Sequence, residues 1–160
     1  MPPRGPLGEE TRRRIQTLRE RYPQSRSALI PALLAAQDEA GYLSPPVLAE
    51  IGRIFEMHPN EVLDVASFYT MLFKRPVGRH VLQLCTNISC LLANCEGVLA
   101  HLESRLGIHP GQTTGDGRFT LMEVECLASC GTAPVMQVSN QSYYENLTPE
   151  KVDQVLDGLK

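Results

Sequence analysis

Four of the five cysteines fall into two tight local pairs, and these residues have the clearest potential for chemistry. Cys85-Thr-Asn-Ile-Ser-Cys90 is a C-x4-C pair, and Cys126-Leu-Ala-Ser-Cys130 is a C-x3-C pair. Thiolates are soft anionic ligands. A quartet of them suits a [2Fe–2S] cluster with each iron held tetrahedrally, a four-cysteine structural zinc, or two disulfides. Compact zinc knuckles usually carry an x2 spacing in at least one pair. The x4 and x3 loops are wider, leave room for a larger inorganic core, and can send backbone N–H groups to its sulfides. Spacing therefore leans towards iron and sulfur, with zinc and disulfide still open. A Rieske centre needs two histidine ligands, and none of His58, His80, His101 or His109 is paired with a cysteine at close spacing. Cys95, five residues after Cys90, reads as a small buried filler within a helix.

The elements that must position these thiols follow from periodicity and turn residues. His80-Val-Leu-Gln-Leu-Cys85 is a short apolar strand, and Leu91 to Leu106 a helix closed by Gly107. Phe119 to Glu125 alternates like a strand, Pro134 to Val138 is another, and Tyr143-Tyr144 begins a last one after a turn at Ser139 to Ser142. Thr148 caps a closing helix through Leu156, with Pro149 at its first position. Both pairs then lie at strand ends, where loops can turn side chains towards a common point. The first also lies near a helix N-terminus, whose amides favour anionic sulfur. The order β-α-β-β-(β)-α describes an α/β sandwich. The glycine-rich stretch Pro110 to Gly117 does not lead from a strand into a helix, so it reads as a surface turn and not as a phosphate loop.

Upstream, four helices joined by short loops make a small bundle. Ile15, Leu18 and Tyr22 mark the first, which ends near Pro23. The second runs from Ser27 to Gly41, with Ser25 or Ser27 as cap and Gly41 as stop. Ser44-Pro45 opens a third with the stripe Val47, Leu48, Ile51, Ile54 and Phe55, and His58-Pro59 opens a fourth that reaches Phe68-Tyr69. Lys74 to Arg79 looks like a linker, which divides the chain into a helical bundle over 1–75 and a cluster domain over 76–160. Phe68, Tyr69 and Phe73, where bundle meets linker, read as packing residues.

Composition narrows the function classes. The 160 residues are 42% hydrophobic and 21% charged, enough apolar material for a core and too little charge for a disordered chain. Residues 1–79 carry 11 Lys and Arg against 9 Asp and Glu, net +2, whereas 80–160 carry 4 against 9, net −5. An acidic whole argues against a nucleic-acid partner, and Arg12-Arg13-Arg14 reads as a solvated helix face. No apolar run approaches the roughly 18 residues of a membrane span. Met1 to Gly8 holds no signal-peptide core, so reduced thiols or metal ligands are expected.

These residues resemble a known family. Asp64-Val-Ala-Ser-Phe-Tyr69, Pro76-Val-Gly-Arg-His80, the C-x4-C pair, Gly107 to Thr120, Glu123-Val-Glu-Cys-Leu-Ala-Ser-Cys130 and Ala133-Pro-Val-Met-Gln-Val138 are together similar to the thioredoxin-like [2Fe–2S] subunit of bacterial respiratory complex I. The resemblance covers nearly the whole chain. It implies a thioredoxin-like cluster domain after a helical bundle, and a [2Fe–2S] cofactor on Cys85, Cys90, Cys126 and Cys130. It implies a non-catalytic electron-transfer role in an NADH–quinone oxidoreductase, with NADH and FMN bound by a partner flavoprotein subunit and further iron–sulfur subunits beyond. The site is then cytoplasmic, on the inner face of the membrane, reached through the complex with no transmembrane segment. The same module serves NAD-linked hydrogenases and formate dehydrogenases, and a four-cysteine zinc interaction module is the competing class. The family commonly has glycine where this chain has Ala128, which strains the loop if the backbone there needs φ > 0. His80 to Ser104 contains no Lys or Arg, and Glu123 and Glu125 flank the second pair, so a low potential of about −400 mV is expected.

Overall fold

The computed structural model describes residues 7–160; the opening stretch read above for a signal core lies, up to Pro6, outside them. The chain divides into two compact units, one ending at Pro76 and the other spanning Val77–Lys160. Both helices and a mixed sheet are present, an α+β architecture.

The first unit holds α1 (Glu9–Glu20), α2 (Leu29–Ala40), α3 (Pro45–Phe55) and α4 (Pro59–Phe68). Their apolar stripes meet in one core that includes Ile15, Leu33, Val47, Ile51, Val62 and Leu72, all essentially without solvent contact. Two buried polar side chains tie the helices to the loops. Gln37 donates to the Met71 carbonyl at 3.0 Å and accepts from the Phe73 N–H at 2.6 Å. Glu50 accepts from the Leu7 N–H at 2.9 Å and from Arg12 Nε at 2.6 Å. Both are satisfied, as burial requires.

Several local details differ from expectation. Tyr22 lies beyond the end of α1 and is 38% exposed, so it leaves the apolar stripe. No serine caps α2: a 3-10 turn over Ser25–Ala28 feeds into it, and Gly41, at φ 81°, closes it with its N–H on the Gln37 carbonyl. Ser44 has the extended backbone of a cap but makes no capping bond. Pro46 removes one of the two N–H groups a cap accepts from, and the buried Oγ of Ser44 is left without a partner. At α4 the imidazole of His58 does the capping. Its Nδ1 accepts from the Asn60 N–H at 3.2 Å while Glu61 accepts from the His58 N–H at 3.1 Å. Phe68 is 80% exposed and meets Tyr69 edge-on at 5.1 Å, so it is not the packing residue expected.

The second unit runs β1 (His80–Cys85), α5 (Ile88–Leu92), α6 (Cys95–Leu106), β2 (Phe119–Val124), β3 (Met136–Val138), β4 (Ser142–Tyr144) and α7 (Pro149–Gly158). The sheet order is β2-β1-β3-β4. β1 pairs parallel with β2, His80 opposite Phe119 and Cys85 opposite Val124; β3 is antiparallel to β1 and β4 to β3. A parallel pair needs a crossover, and α5 and α6 supply it. Leu82, Leu84, Val98, Leu102, Leu121 and Val152 belong to the core of sheet, α6 and α7. Across the two helices His101 and Arg105 both bond Asp153. The His101 hydrogen bond first, then the His101 charge and the Arg105 contact, hold the Asp153 carboxyl below the usual carboxylate range.

The single helix expected over Leu91–Leu106 is two helices. Asn94 takes left-handed backbone at φ 66° and breaks the ladder between α5 and α6. Asparagine tolerates that region. Gly97 accommodates the result, since a Cβ there would stand 2.6 Å from the Asn94 amide. β2 does not alternate either: Phe119, Thr120 and Leu121 are all buried. The glycine-rich loop lies along its outer edge. The Gly111 N–H donates to the Leu121 carbonyl at 2.7 Å, the Leu121 N–H to Gln112 at 3.1 Å, and the Thr114 N–H to Phe119 at 2.9 Å. Among the described residues no helix is long and apolar enough to cross a membrane.

Candidate metal centre

The parallel pairing of β1 and β2 decides where the cysteines go. Two parallel strands end at the same edge of a sheet, where α/β folds commonly place their ligands. Cys85 is the last residue of β1, and Cys126 follows β2 by two residues. Asn87 then caps α5, its Oδ1 accepting from the Ile88 N–H at 2.7 Å, and this short helix presents Cys90. On the other side the chain turns at Ala128 into a 3-10 turn that begins with Cys130.

All four thiols line one cavity of about 40 Å³, together with Asn87, Ile88, Ser89, Ala128, Ser129 and Val135. That volume admits an inorganic core of a few atoms and falls far below the roughly 300–1,000 Å³ of organic-cofactor sites. The lining contains no carboxylate, imidazole or cationic side chain. A sulfur-only donor set selects soft metals and iron–sulfur cores over hard cations. Among the described residues no three His, Cys, Asp or Glu side chains are grouped so as to hold a single metal ion.

The two loops differ in burial. Cys85 and Cys90 are 3% and 2% exposed and cluster with Cys95 and Val135, whereas Cys126 and Cys130 are exposed. Burial first, then its hydrogen bond with Cys85, pushes the Cys90 thiol up to about 11. Burial also raises Cys95. Ligand formation by Cys90 must therefore release a proton. Cys95 is fully buried at the start of α6, outside the cavity lining, as a filler should be.

Ala128 adopts φ 58°, the left-handed backbone that glycine takes without cost. Its N–H donates to the Cys126 sulfur at 3.3 Å. The strained residue thus aims an amide at a candidate ligand.

One part of the site was not legible in the sequence. Glu145 accepts hydrogen bonds from Ser129, over a very short contact, and from Thr132 Oγ1 at 2.7 Å. These bonds, Ser129 first, hold its carboxyl below the usual range. The hydroxyl residues flanking Cys130 are a faint signal, and their partner lies 13 and 16 residues away.

Comparison with known proteins agrees with this geometry. The profile of the thioredoxin-like [2Fe-2S] ferredoxins matches residues 15–160. An NADH-quinone oxidoreductase subunit of Rhizobium meliloti (strain 1021) is 46% identical over 93% of this chain and 88% of its own length. The corresponding NADH-quinone oxidoreductase subunit of Thermus thermophilus is 42% identical, covering 88% and 78%. Among solved structures, an air-oxidised NAD+-reducing [NiFe]-hydrogenase aligns with TM-score 0.68 and 27% identity over 79% of this chain. The match spans only 22% of that hydrogenase chain. With the profile running from Ile15 to the last residue, the chain belongs to the thioredoxin-like [2Fe-2S] ferredoxin family.

Proposed function

We propose that Cys85, Cys90, Cys126 and Cys130 hold one [2Fe–2S] cluster and that the chain is the electron-transfer subunit of an NADH dehydrogenase module, in the manner of an NADH–quinone oxidoreductase. The observation that carries this is the single sulfur-lined cavity at the shared end of β1 and β2. When bound, such a cluster supplies one-electron redox chemistry at low potential, here in exchange with the FMN of an NADH-oxidising flavoprotein subunit. The chain's own residues do the rest. Cys85 and Cys90 form the buried half of the grip, Cys126 and Cys130 the exposed half. The Ala128 N–H offsets negative charge on the Cys126 sulfur. Cluster binding belongs to a second domain over 76–160, which contains the compact unit Val77–Lys160. The partners are the flavoprotein and further iron–sulfur subunits, and they bring the chain to the inner, cytoplasmic face of the membrane.

A zinc module needs four sulfurs about 2.3 Å from one point. Four thiols lining one cavity with no other ligating side chain suit a two-iron core in which two sulfurs hold each iron. The hydrogenase alternative draws on the 27% structural match, and the 46% identity to a quinone-reductase subunit favours the first reading. Purified protein should be red-brown, with two iron and two acid-labile sulfide per chain and an EPR signal on reduction. A colourless protein with one zinc overturns the reading. A tagged copy from its own host should co-purify with an NADH-oxidising flavoprotein and quinone-reductase subunits; a nickel-containing assembly selects the alternative.

A further inference from the structure

The loop that carries Cys126 and Cys130 has little regular structure of its own, a 3-10 turn of three residues. It also contains the left-handed Ala128, and both its cysteines are exposed. Something else must hold it in place. The Ser129 and Thr132 hydroxyls lie on either side of Cys130, 2.9 Å apart, and both donate to the same Glu145 oxygen. Ser129 itself lines the thiol cavity, so the carboxylate stands one side chain behind it.

Glu145 is anchored in turn. The Asn146 N–H donates to the Thr132 carbonyl at 2.7 Å, and the Leu147 N–H to Pro134 at 3.0 Å. Lys151 Nζ donates to the Glu145 carbonyl at 2.6 Å. The segment 145–147 is thereby stapled along 132–134. Hydrogen bonds to an ionised acceptor are about twice as strong as neutral ones, and here two of them converge from one ligand loop.

We propose that Glu145 is a positioning residue for the cluster: its carboxylate clamps Ser129 and Thr132, fixes the Cys130 turn, and places a fixed negative charge behind that ligand. The inference rests on the cluster reading above and adds a residue outside both cysteine loops. It has two separable consequences. Loss of the clamp loosens the outer pair of sulfurs. Loss of the charge alone makes an added electron less unfavourable.

The full-length, cluster-loaded chain tests both. Iron release to a chelator should be about 10-fold faster in Glu145→Ala, the scale of outer-shell substitutions around metal ligands. Glu145→Gln keeps an acceptor oxygen without the charge. It should lose iron more slowly than Glu145→Ala and shift the midpoint potential upward. Ser129→Ala should also speed release, and adding it to Glu145→Ala should cause little further change, because one clamp has been broken twice. If Glu145→Ala does not fold, Ser129→Ala and Thr132→Val carry the release test. Folded variants with wild-type release rates, EPR g-values and potential overturn the proposal, as do independent, multiplying effects of Glu145→Ala and Ser129→Ala. Wild-type protein without iron and sulfide overturns the cluster reading itself, whereas a loaded wild type with unaffected variants overturns only the clamp.

Discussion

Among the described residues of the helical unit, Glu56 alone of the non-glycine residues takes left-handed backbone, and it closes α3. In the second unit Asn94, Ala128, Ser139, Asn140 and Asn146 do so. Ser139 and Asn140 form the turn between β3 and β4. Of the other three, Ala128 lines the thiol cavity between Cys126 and Cys130, Asn94 follows the helix that carries Cys90, and Asn146 follows Glu145. In the bundle the buried Gln37 and Glu50 side chains pair with backbone groups of distant loops. The second unit holds strained backbone where four thiols must face one cavity. Such strain persists only where surrounding structure over-determines it, and it concentrates at functional sites.

The largest effect separates the units outright. Cys126→Ala should abolish the cluster, reducing iron and sulfide to background while the helical circular dichroism of the bundle remains. Cys95→Ser, changed outside the cavity lining, should retain both. Loss of iron in the second variant, or its retention in the first, breaks the division between ligands and filler.

The next effect falls on the other side. Ile51→Ala opens a cavity in the bundle core and should cost about 2–5 kcal/mol. Denaturant unfolding should register this, with the visible absorption of the cluster unchanged under native conditions. A cluster spectrum that shifts with Ile51 would end the contrast.

A smaller effect has the opposite sign. Ala128→Gly relieves left-handed strain but frees the unfolded chain, for a net gain of about 0.5–1 kcal/mol in the metal-free protein. It keeps the N–H on Cys126, so the EPR signal should stay as it was. A destabilised glycine variant would show that Ala128 carries no strain.

The smallest effect comes with acid. Hydrogen bonds from His101 hold Asp153 low, and those from Thr114 and the Arg118 N–H hold Asp116 low. A depressed folded pKa gives stability that is present above the unfolded value, about 4, and is lost as pH falls through the folded one. Protection of the amides in α6 and α7, measured against their intrinsic exchange rate at each pH, should therefore fall below about pH 4. Unchanged protection there would remove these carboxylates from the account.

The parts legible in the sequence were those governed by local rules. Periodicity placed α3 and β1, proline and glycine punctuated the bundle, and the cysteine spacing pointed to a soft metal site. The missing glycine at 128 was visible as a departure, and the backbone there does take the left-handed turn. What escaped was tertiary. Asn94 splits a pattern that reads as one helix, and its side chain fits only because Gly97 carries no Cβ to meet it. Thr120 is buried against its own β alternation because the loop just before β2 folds back over it, with Thr113 Oγ1 2.8 Å from its hydroxyl. Glu145 reaches Ser129 and Thr132 through a fold-dependent contact that no spacing rule encodes.

The loop lying along β2 has a consequence for how the protein behaves when crowded. Unpaired strand edges are templates on which a second backbone can grow. Here residues 111–114 occupy one side of the sheet with hydrogen bonds of their own, and the opposite side ends in β4, a strand of three residues. Neither rim offers a long ladder to a stranger, so copies held at high density have little purchase for fibre-like stacking.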